Sequence, residues 1–276
     1  GDVISNLLKF NGAKVTKEFY INDYGKQIEN FTKSVFLRMR EIKFKEKFPN
    51  DKDLYHGNYI IDLAKTLFKN SKKINLNRYE DSFGTIKNKS LDQSLKLIKS
   101  DLKLLGIKHD VFTSESNMIK KKYVDKIINV LKKNNHVTDG YLSPPKGEET
   151  KTWKKTKRLI FKSSNFGDDS DRALQKNDGS WTYFANDIGY HFTKVSKKYD
   201  KLINVLGADH IGYIKRISAA VTAISNNKIS LTCKVCQLVK FIKNGQPFKM
   251  SKRSGDFFPL SKLLSEVNKD AIRFMM

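Results

Sequence analysis

The sequence predicts an α/β fold built around a parallel sheet. Val15, Phe19 and Ile21 alternate with polar residues after Gly12, which is typical of a strand. Helical periodicity follows over 28–40, and the apolar run 201–206, which leads into Gly207, is typical of a buried parallel strand. Strands that alternate with helices form parallel sheets, whose ligands bind beyond the carboxyl ends of the strands.

The remaining elements follow from the same two periodicities. Apolar residues recur every three or four positions in several segments, and a further helix should carry Ile211, Ile214, Ile217 and Val221. Asn244-Gly245 predicts a hairpin turn after the cysteine-containing strand, with a return strand over 246–249. A second strand is predicted over 109–114, a connection over 44–58 and an irregular or β-rich insertion over 140–162. The other predicted helices are 3–10, 59–68, 91–105 and 124–131.

Composition excludes a membrane-spanning protein. The 276 residues are 39% hydrophobic, and they contain no apolar run of about 18 residues that would cross a bilayer. The N-terminal residues 1–6 lack an initiator Met, a basic segment and an apolar segment, so we expect a fragment boundary rather than a signal peptide. The sequence therefore predicts a soluble globular core.

The chain is strongly basic. Lys and Arg number 53 against 29 acidic residues, for a formal charge of +24, which favours a nucleic-acid partner through counterion release. The alternative is an AT-rich coding bias, because Lys, Asn and Ile are enriched together and such lysines would be solvated surface. The charge alone therefore does not decide the function.

The two cysteines form a single C-x-x-C. Cys233 and Cys236 have no second pair and no nearby His at ligand spacing, whereas a tetrahedral zinc site needs four ligands. We expect no structural metal. The segment alternates like a strand, which predicts two buried thiols in a reducing compartment.

One loop carries the first specific motif. The chain has no G-x-G-x-x-G, and Gly207 and Gly212 are not followed by the Lys-Ser/Thr of a Walker loop. Lys249-Met250-Ser251-Lys252, directly after the predicted hairpin, resembles the KMSK loop of class I aminoacyl-tRNA synthetases. The alternative is a chance cluster in a lysine-rich chain.

The resemblance extends along the whole chain and is specific to the arginyl enzymes. Residues 1–27, 55–60, 166–172, 183–191 and 207–210 are similar to blocks of that family in the same order. It implies a Rossmann-like class I synthetase catalytic core with helical and β-rich insertions. It also implies an arginine–tRNA ligase whose substrates are arginine, tRNA and ATP with Mg²⁺. The implied enzyme is a monomer in the cytoplasm.

The resemblance assigns residues to the arginine site. Tyr183 and Asp187 match the Tyr and Asp that recognise the substrate arginine in the family. Independently, an i,i+4 spacing places a phenol and a carboxylate on one helix face, and a carboxylate is the natural partner of a guanidinium. The alternative is a surface i,i+4 pair.

The nucleotide site is assigned in the same way. Gly207, Asp209 and His210 match a block that lines the ATP site, where the glycine permits close approach and the carboxylate accepts from ribose hydroxyls. The alternative is an N-cap Asp and a packing His. The implied roles in the KMSK loop are catalytic stabilisation of phosphate charge by Lys249 and Lys252, with Met250 and Ser251 also at the nucleotide.

The acidic stretch 166–172 is expected to be a structured turn. It lacks the alternating oxygen ligands and the distal Glu of a calcium loop.

The chain departs from the family pattern at both ends. The HIGH motif belongs before Gly1, and 270–276 resembles the start of the anticodon-binding domain, so we expect a truncated, inactive piece of one catalytic domain. Two alternatives remain open: a noncatalytic RNA-binding remnant and a class I synthetase for another amino acid. The expected parts are a helical insertion over about 41–103, a connective insertion over about 117–182 and the second half of the nucleotide-binding core over 183–276.

Overall fold

The computed structural model describes residues 1–70, 74–142, 156–237, 239, 241–243, 246–248 and 259–275. The chain divides into two compact units, one formed by Gly1–Ser114 with Val239–Met276 and the other by Glu115–Leu238. Among the described residues, no helix combines the length and the apolar character needed to cross a membrane.

Both units contain helices and strands, as the sequence predicts. Short 3-10 helices cover Ser163–Phe166 and Ala208–Tyr213. The α-helices are α1 (Asp2–Phe10), α2 (Lys26–Phe44), α3 (Asn58–Asn70), α4 (Tyr79–Leu104), α5 (Glu115–Lys120), α6 (Tyr123–Lys133), α7 (Tyr183–Val195), α8 (Ile214–Ile224), α9 (Leu260–Glu266) and α10 (Lys269–Met275). The strands are β1 (Glu18–Ile21), β2 (Val111–Ser114), β3 (Val137–Gly140), β4 (Arg158–Phe161), β5 (Arg172–Ala173), β6 (Lys201–Gly207), β7 (Ser230–Cys236), β8 (Phe241–Lys243) and β9 (Gln246–Phe248).

Each unit contains one parallel strand pair. In the first unit β1 pairs with β2, with Glu18 opposite Val111. In the second unit β6 pairs with β7, with Lys201 opposite Ser230. The second unit also holds an antiparallel sheet in the order β3-β4-β5. The predicted α/β class is confirmed, and residues 201–206 form a parallel strand as predicted. The prediction that this strand is buried is wrong, because only Leu202 is buried and Val205 is exposed.

Helices α2, α3 and α4 bury their apolar faces together in the first unit. The buried stripe of α2 includes Thr32, Val35, Phe36 and Met39, whose three- and four-residue spacing is that of one helix face. Helix α4 begins at Tyr79, twelve positions before the predicted start at residue 91. The prediction missed this first part because its buried positions are Ser82, Ile86 and Ser90. Two serines in a buried stripe do not produce the apolar periodicity on which the prediction depended.

Strand β1 is shorter than the predicted alternation. Regular pairing begins only at Glu18, because the backbone N–H of Lys17 donates to the Asp110 carboxylate at 2.8 Å. This side-chain acceptor occupies the position that a ladder carbonyl would take, so the regular strand starts only after Lys17.

The core of the second unit lies between α6, α7, α8 and the antiparallel sheet. Its largest fully buried side chains include Phe161, Ile127, Leu131 and Ile188. The predicted helix containing Ile211 needs correction, because α8 begins only at Ile214 and Ile211 lies exposed in the preceding 3-10 helix. The 3-10 geometry rotates Ile211 off the face that buries Ile217 and Val221.

The prediction for the cysteines is wrong for one of them. Cys233 is partly buried against the core of the second unit, and this burial raises the pKa of its thiol. Cys236 is exposed, because the last three residues of β7 are all solvent-accessible.

The predicted hairpin is confirmed by the antiparallel pairing of β8 with β9, in which Lys243 lies opposite Gln246. The KMSK loop, Lys249 to Lys252, lies outside the described residues. So does most of the predicted insertion over 140–162, whose described part includes β4.

Gly189 marks a close approach of α7 to α6. A Cβ at Gly189 would lie 3.1 Å from Val124 Cγ2 and 3.3 Å from Val124 N, whereas one at the exposed Gly84 of α4 would meet nothing within 4 Å. We expect Gly84→Ala to raise the free energy of unfolding by about 0.5–1 kcal/mol through helix propensity. Gly189→Ala should lower it by about 1 kcal/mol through overpacking against backbone. Urea denaturation compares the two variants, and equal gains from both would contradict the tight contact.

Candidate active site

The candidate site is built on the first turns of α7. Thr182 is the N-cap of this helix, and its Oγ1 accepts from the backbone N–H of Ala185 at 3.3 Å. The same hydroxyl lies 3.1 Å from the Ala173 carbonyl and 3.2 Å from the Leu174 carbonyl, at β5. One short side chain therefore starts the helix and anchors it to the sheet.

Tyr183 and Asp187 lie one turn apart on α7, as the sequence predicts. The Tyr183 side chain is 60% exposed, whereas the Asp187 carboxylate is partly buried and accepts a short hydrogen bond from the Tyr213 hydroxyl. Burial raises the pKa of Asp187 to about 6, although the Tyr213 hydrogen bond and the nearby His210 and Lys194 act in the opposite direction. The alternative of a simple surface i,i+4 pair is wrong for Asp187.

Tyr213 is the residue that sequence reasoning missed. Burial raises the pKa of its phenol, and the Asp187 carboxylate raises it further, so the hydroxyl stays a proton donor at neutral pH. Its only signal in the sequence is its position three residues after His210, just beyond the block 207–210.

A cavity of about 280 Å³ lies beside this pair within the second unit. It combines two phenols with two guanidinium groups, which is an unusual concentration of hydrogen-bond donors. The lining residues are Arg172, Ala173, Thr182, Tyr183, Phe184, Tyr213 and Arg216. Asp187 is connected to the cavity through the Tyr213 hydroxyl.

The acidic stretch 166–172 holds one wall of the cavity in place. Asp168 accepts from Arg172 Nε and Nη2, both at 2.7 Å, and from the Ser163 hydroxyl at 2.6 Å. Although burial opposes ionisation, these donors hold the pKa of Asp168 at about 2. The next carboxylate, Asp169, binds Lys215 at 2.7 Å. The structured turn therefore positions Arg172, a function that the sequence did not indicate.

Gly207, Asp209 and His210 lie together after β6, at the carboxyl end of the parallel pair. A Cβ on Gly207 would come within 2.6 Å of Asp209 Oδ1, but this exposed side chain can move away and the φ of Gly207 is −70°, so the turn itself does not require glycine. The Asp209 and His210 side chains are 71% and 49% exposed and lie 3.7 Å apart. Neither caps the 3-10 helix nor packs in the core, so the alternative of an N-cap Asp and a packing His is wrong.

The predicted arginine and nucleotide residues are neighbours. His210 lies close enough to Asp187 to lower the pKa of that carboxyl, which links the turn after β6 to α7. Within the described part of the chain, no group of three His, Cys, Asp or Glu side chains is placed to hold a metal ion.

Comparison with known proteins identifies the class to which this fold and site belong. The family described as "tRNA synthetases class I (R), catalytic domain" matches residues 1–276, and the chain belongs to this family.

Individual relatives narrow the likeness to the arginyl enzymes. The chain is 53% identical over 277 residues to the arginine–tRNA ligase of Pelagibacter ubique (strain HTCC1062), which covers 100% of this chain and 48% of the relative. It is 45% identical over 276 residues to the ligase of Wolbachia sp. subsp. Brugia malayi (strain TRS), with coverages of 100% and 48%. A solved arginyl tRNA synthetase structure from Campylobacter jejuni has a TM-score of 0.81 and 32% identity, covering 99% of this chain and 56% of that one. The chain spans about half the length of the curated relatives it matches.

Proposed function

We propose that this chain provides the arginine pocket and part of the nucleotide site of an arginine–tRNA ligase. The observation that carries the proposal is the partly buried Asp187 carboxylate, which Tyr213 orients beside the exposed phenol of Tyr183. A planar guanidinium requires such an acceptor, because two of its N–H groups donate in parallel to the two carboxylate oxygens. A carboxylate in this place also favours arginine over other amino acids within the class.

The proposed reaction has two steps. The arginine carboxylate attacks the α-phosphate of ATP, which is supplied with Mg²⁺, to give arginyl-adenylate and pyrophosphate. A hydroxyl of the terminal ribose of tRNA then attacks the arginyl carbonyl, which forms the ester and releases AMP. The protein contributes orientation and stabilisation of phosphate charge, rather than covalent chemistry of its own.

Residues near the carboxyl end of β6 take the nucleotide in this proposal. The Gly207 turn lets a ribose approach the backbone, and the exposed Asp209 and His210 offer polar groups to ATP. Lys249 and Lys252 of the KMSK loop close on the triphosphate, with Met250 and Ser251 beside them. These four roles rest on the sequence resemblance alone.

Aminoacylation of total tRNA tests the function directly. The full-length protein that contains this chain should charge tRNA with arginine in the presence of ATP, and with no other amino acid. Binding of RNA without charging by any amino acid would overturn the proposal and favour a noncatalytic RNA-binding protein instead. Charging with a different amino acid would place the protein in another specificity of the same class.

Arginine affinity should depend on pH through Asp187. Because burial raises the pKa of this carboxyl to about 6, Asp187 loses its charge below that pH, while the substrate guanidinium remains charged. The KM for arginine should therefore rise as the pH falls below about 6, by about tenfold per pH unit in the limit. Steady-state kinetics between about pH 5 and pH 8 measure this rise of the arginine KM.

A Tyr213→Phe variant provides the internal check on that profile. Removing the Tyr213 hydroxyl removes a donor that lowers the pKa of Asp187. The pH below which the arginine KM rises should therefore be higher in this variant. An arginine KM that stays flat across the acidic range in both proteins would contradict the assignment of Asp187 as the guanidinium acceptor.

A further inference from the structure

The cavity beside α7 carries a positive charge that the arginine pocket does not use. Arg216 lies with its guanidinium carbon 5.2 Å from the centroid of the Tyr213 ring, whose hydroxyl donates to Asp187. The groups that influence the pKa of Asp187 electrostatically are His210 and Lys194. Arg216 instead acts on Tyr213 and lowers the pKa of its phenol. Arg216 is therefore a cationic group beside Tyr213, rather than the counter-ion of Asp187.

The two arginines of the cavity differ in how they are paired. Asp168 engages Nε and Nη2 of Arg172, which neutralises this guanidinium and fixes its plane. Arg216 forms no ion pair within the described part of the chain, and its buried Nε has no hydrogen-bond partner there. A buried donor without an acceptor is costly, and a bound ligand is one way to supply the missing acceptor.

Other groups that can donate to an oxyanion line the same cavity. Tyr183 and both guanidinium groups border its volume of about 280 Å³. Burial and the Asp187 charge raise the pKa of the Tyr183 phenol, so that it remains a proton donor. A guanidinium presents a planar fork that matches two phosphate oxygens, and an immobilised Arg172 loses little entropy on binding.

We propose that Arg216, supported by Arg172, forms a phosphate-binding subsite beside the arginine pocket. It would hold a phosphate of either ATP or the tRNA strand while arginine occupies Asp187. The subsite rests on the proposed function, because it places this phosphate next to the amino acid in the same pocket.

The test compares Arg216→Gln with Arg78→Gln in the full-length protein. Arg78 lies in the other unit with a 72% exposed side chain, so its replacement removes the same charge without touching the cavity. Two phosphate-bearing partners are tested with each variant, through the KM for ATP in arginine-dependent aminoacylation and the affinity for fluorescently labelled tRNA at two salt concentrations. The KM for arginine is measured alongside them. Circular dichroism establishes that each variant is folded.

We expect Arg216→Gln to weaken one of these two interactions by about tenfold, while Arg78→Gln changes both by less than about twofold. A weaker ATP interaction assigns the phosphate to the nucleotide. A weaker tRNA interaction, with a salt slope reduced by about one, assigns it to the RNA strand. Arg216→Lys keeps the positive charge but lacks the planar guanidinium, so it should weaken the same interaction less. If Arg216→Gln does not fold, Arg216→Lys replaces it in the comparison with Arg78→Gln.

Two results would overturn the subsite. One is a folded variant, Arg216→Gln or its Lys counterpart, with both interactions unchanged. The other is a loss confined to the KM for arginine, which would show that the group binds the substrate carboxylate instead. Failure of the proposed function is distinguishable, because it would appear as absent arginine charging by the unmodified protein even if Arg216→Gln still weakened tRNA binding.

Discussion

Asp187→Asn is expected to reduce kcat/KM for arginine by about 10²- to 10³-fold. The substitution keeps the shape of the side chain and the acceptor for Tyr213, but it removes the negative charge and presents an amide donor to the guanidinium. Breaking a desolvated charge pair at a binding site costs about 3–5 kcal/mol, and each 1.4 kcal/mol is a factor of ten. Aminoacylation at saturating ATP and tRNA, with arginine varied, measures the loss.

Asp92→Asn is the matched control for that variant. Asp92 lies on α4 with a side chain 64% exposed, and its ion-pair partner among the described residues is Lys96 at the surface. The same chemical change there should alter kcat/KM by less than about twofold, because exposed pairs contribute little. If Asp187→Asn kept the arginine KM of the unmodified protein, the guanidinium would have to bind elsewhere and the proposed pocket would be wrong.

Asp168→Asn is expected to lower the free energy of unfolding by about 3–5 kcal/mol, since it leaves Arg172 partly buried without its counter-charge. The Asp168 side chain is only 1% exposed, so water does not replace the lost interaction. Asp178→Asn is the control: this carboxylate accepts from the Ser180 hydroxyl at 2.6 Å in an exposed turn, so its loss should leave the free energy of unfolding nearly unchanged.

The stability difference at Asp168 should also depend on pH with a definite sign. Its pKa is about 2 in the folded chain, below the value of 3.8 expected without these contacts. A depressed carboxyl pKa contributes stability that is fully present above the unfolded pKa and is lost as the pH falls through the folded value. The gap between the unmodified protein and Asp168→Asn should therefore narrow between about pH 4 and pH 2. If the difference in the free energy of unfolding did not change with pH, the destabilisation by Asp168→Asn would come from packing and not from charge.

The sequence predicted those parts of the fold that depend on local periodicity. The predicted helices over 28–40 and 59–68 lie within α2 and α3, because large apolar residues repeat at helical spacing in both. The first half of α4 was missed because its buried positions include serines. The shape of the turn before α8 also escaped prediction, since 3-10 and α-helical starts share the same apolar pattern.

The candidate site was predictable only in part for a similar reason. Tyr183 and Asp187 form a local pair whose spacing alone indicates a common face. Tyr213 reaches Asp187 across 26 positions, through a turn whose path the sequence did not specify. The pairing of Asp168 with Arg172 has helical spacing but occurs outside a helix, so no periodicity indicated which wall of the cavity it would hold.

The double attachment of Thr182 has a consequence for the order in which the pocket assembles. Leu174 and Thr182 are joined by a backbone hydrogen bond of 2.9 Å across a tight turn, in which Lys176 donates to the Ser180 carbonyl at 2.8 Å. Closing so short a loop costs little chain entropy, so β5 and the first turn of α7 can form together early in folding. The amide protons of Thr182 and Ala185 should then exchange with solvent as one cooperative unit, and the wall of the pocket would exist before arginine arrives.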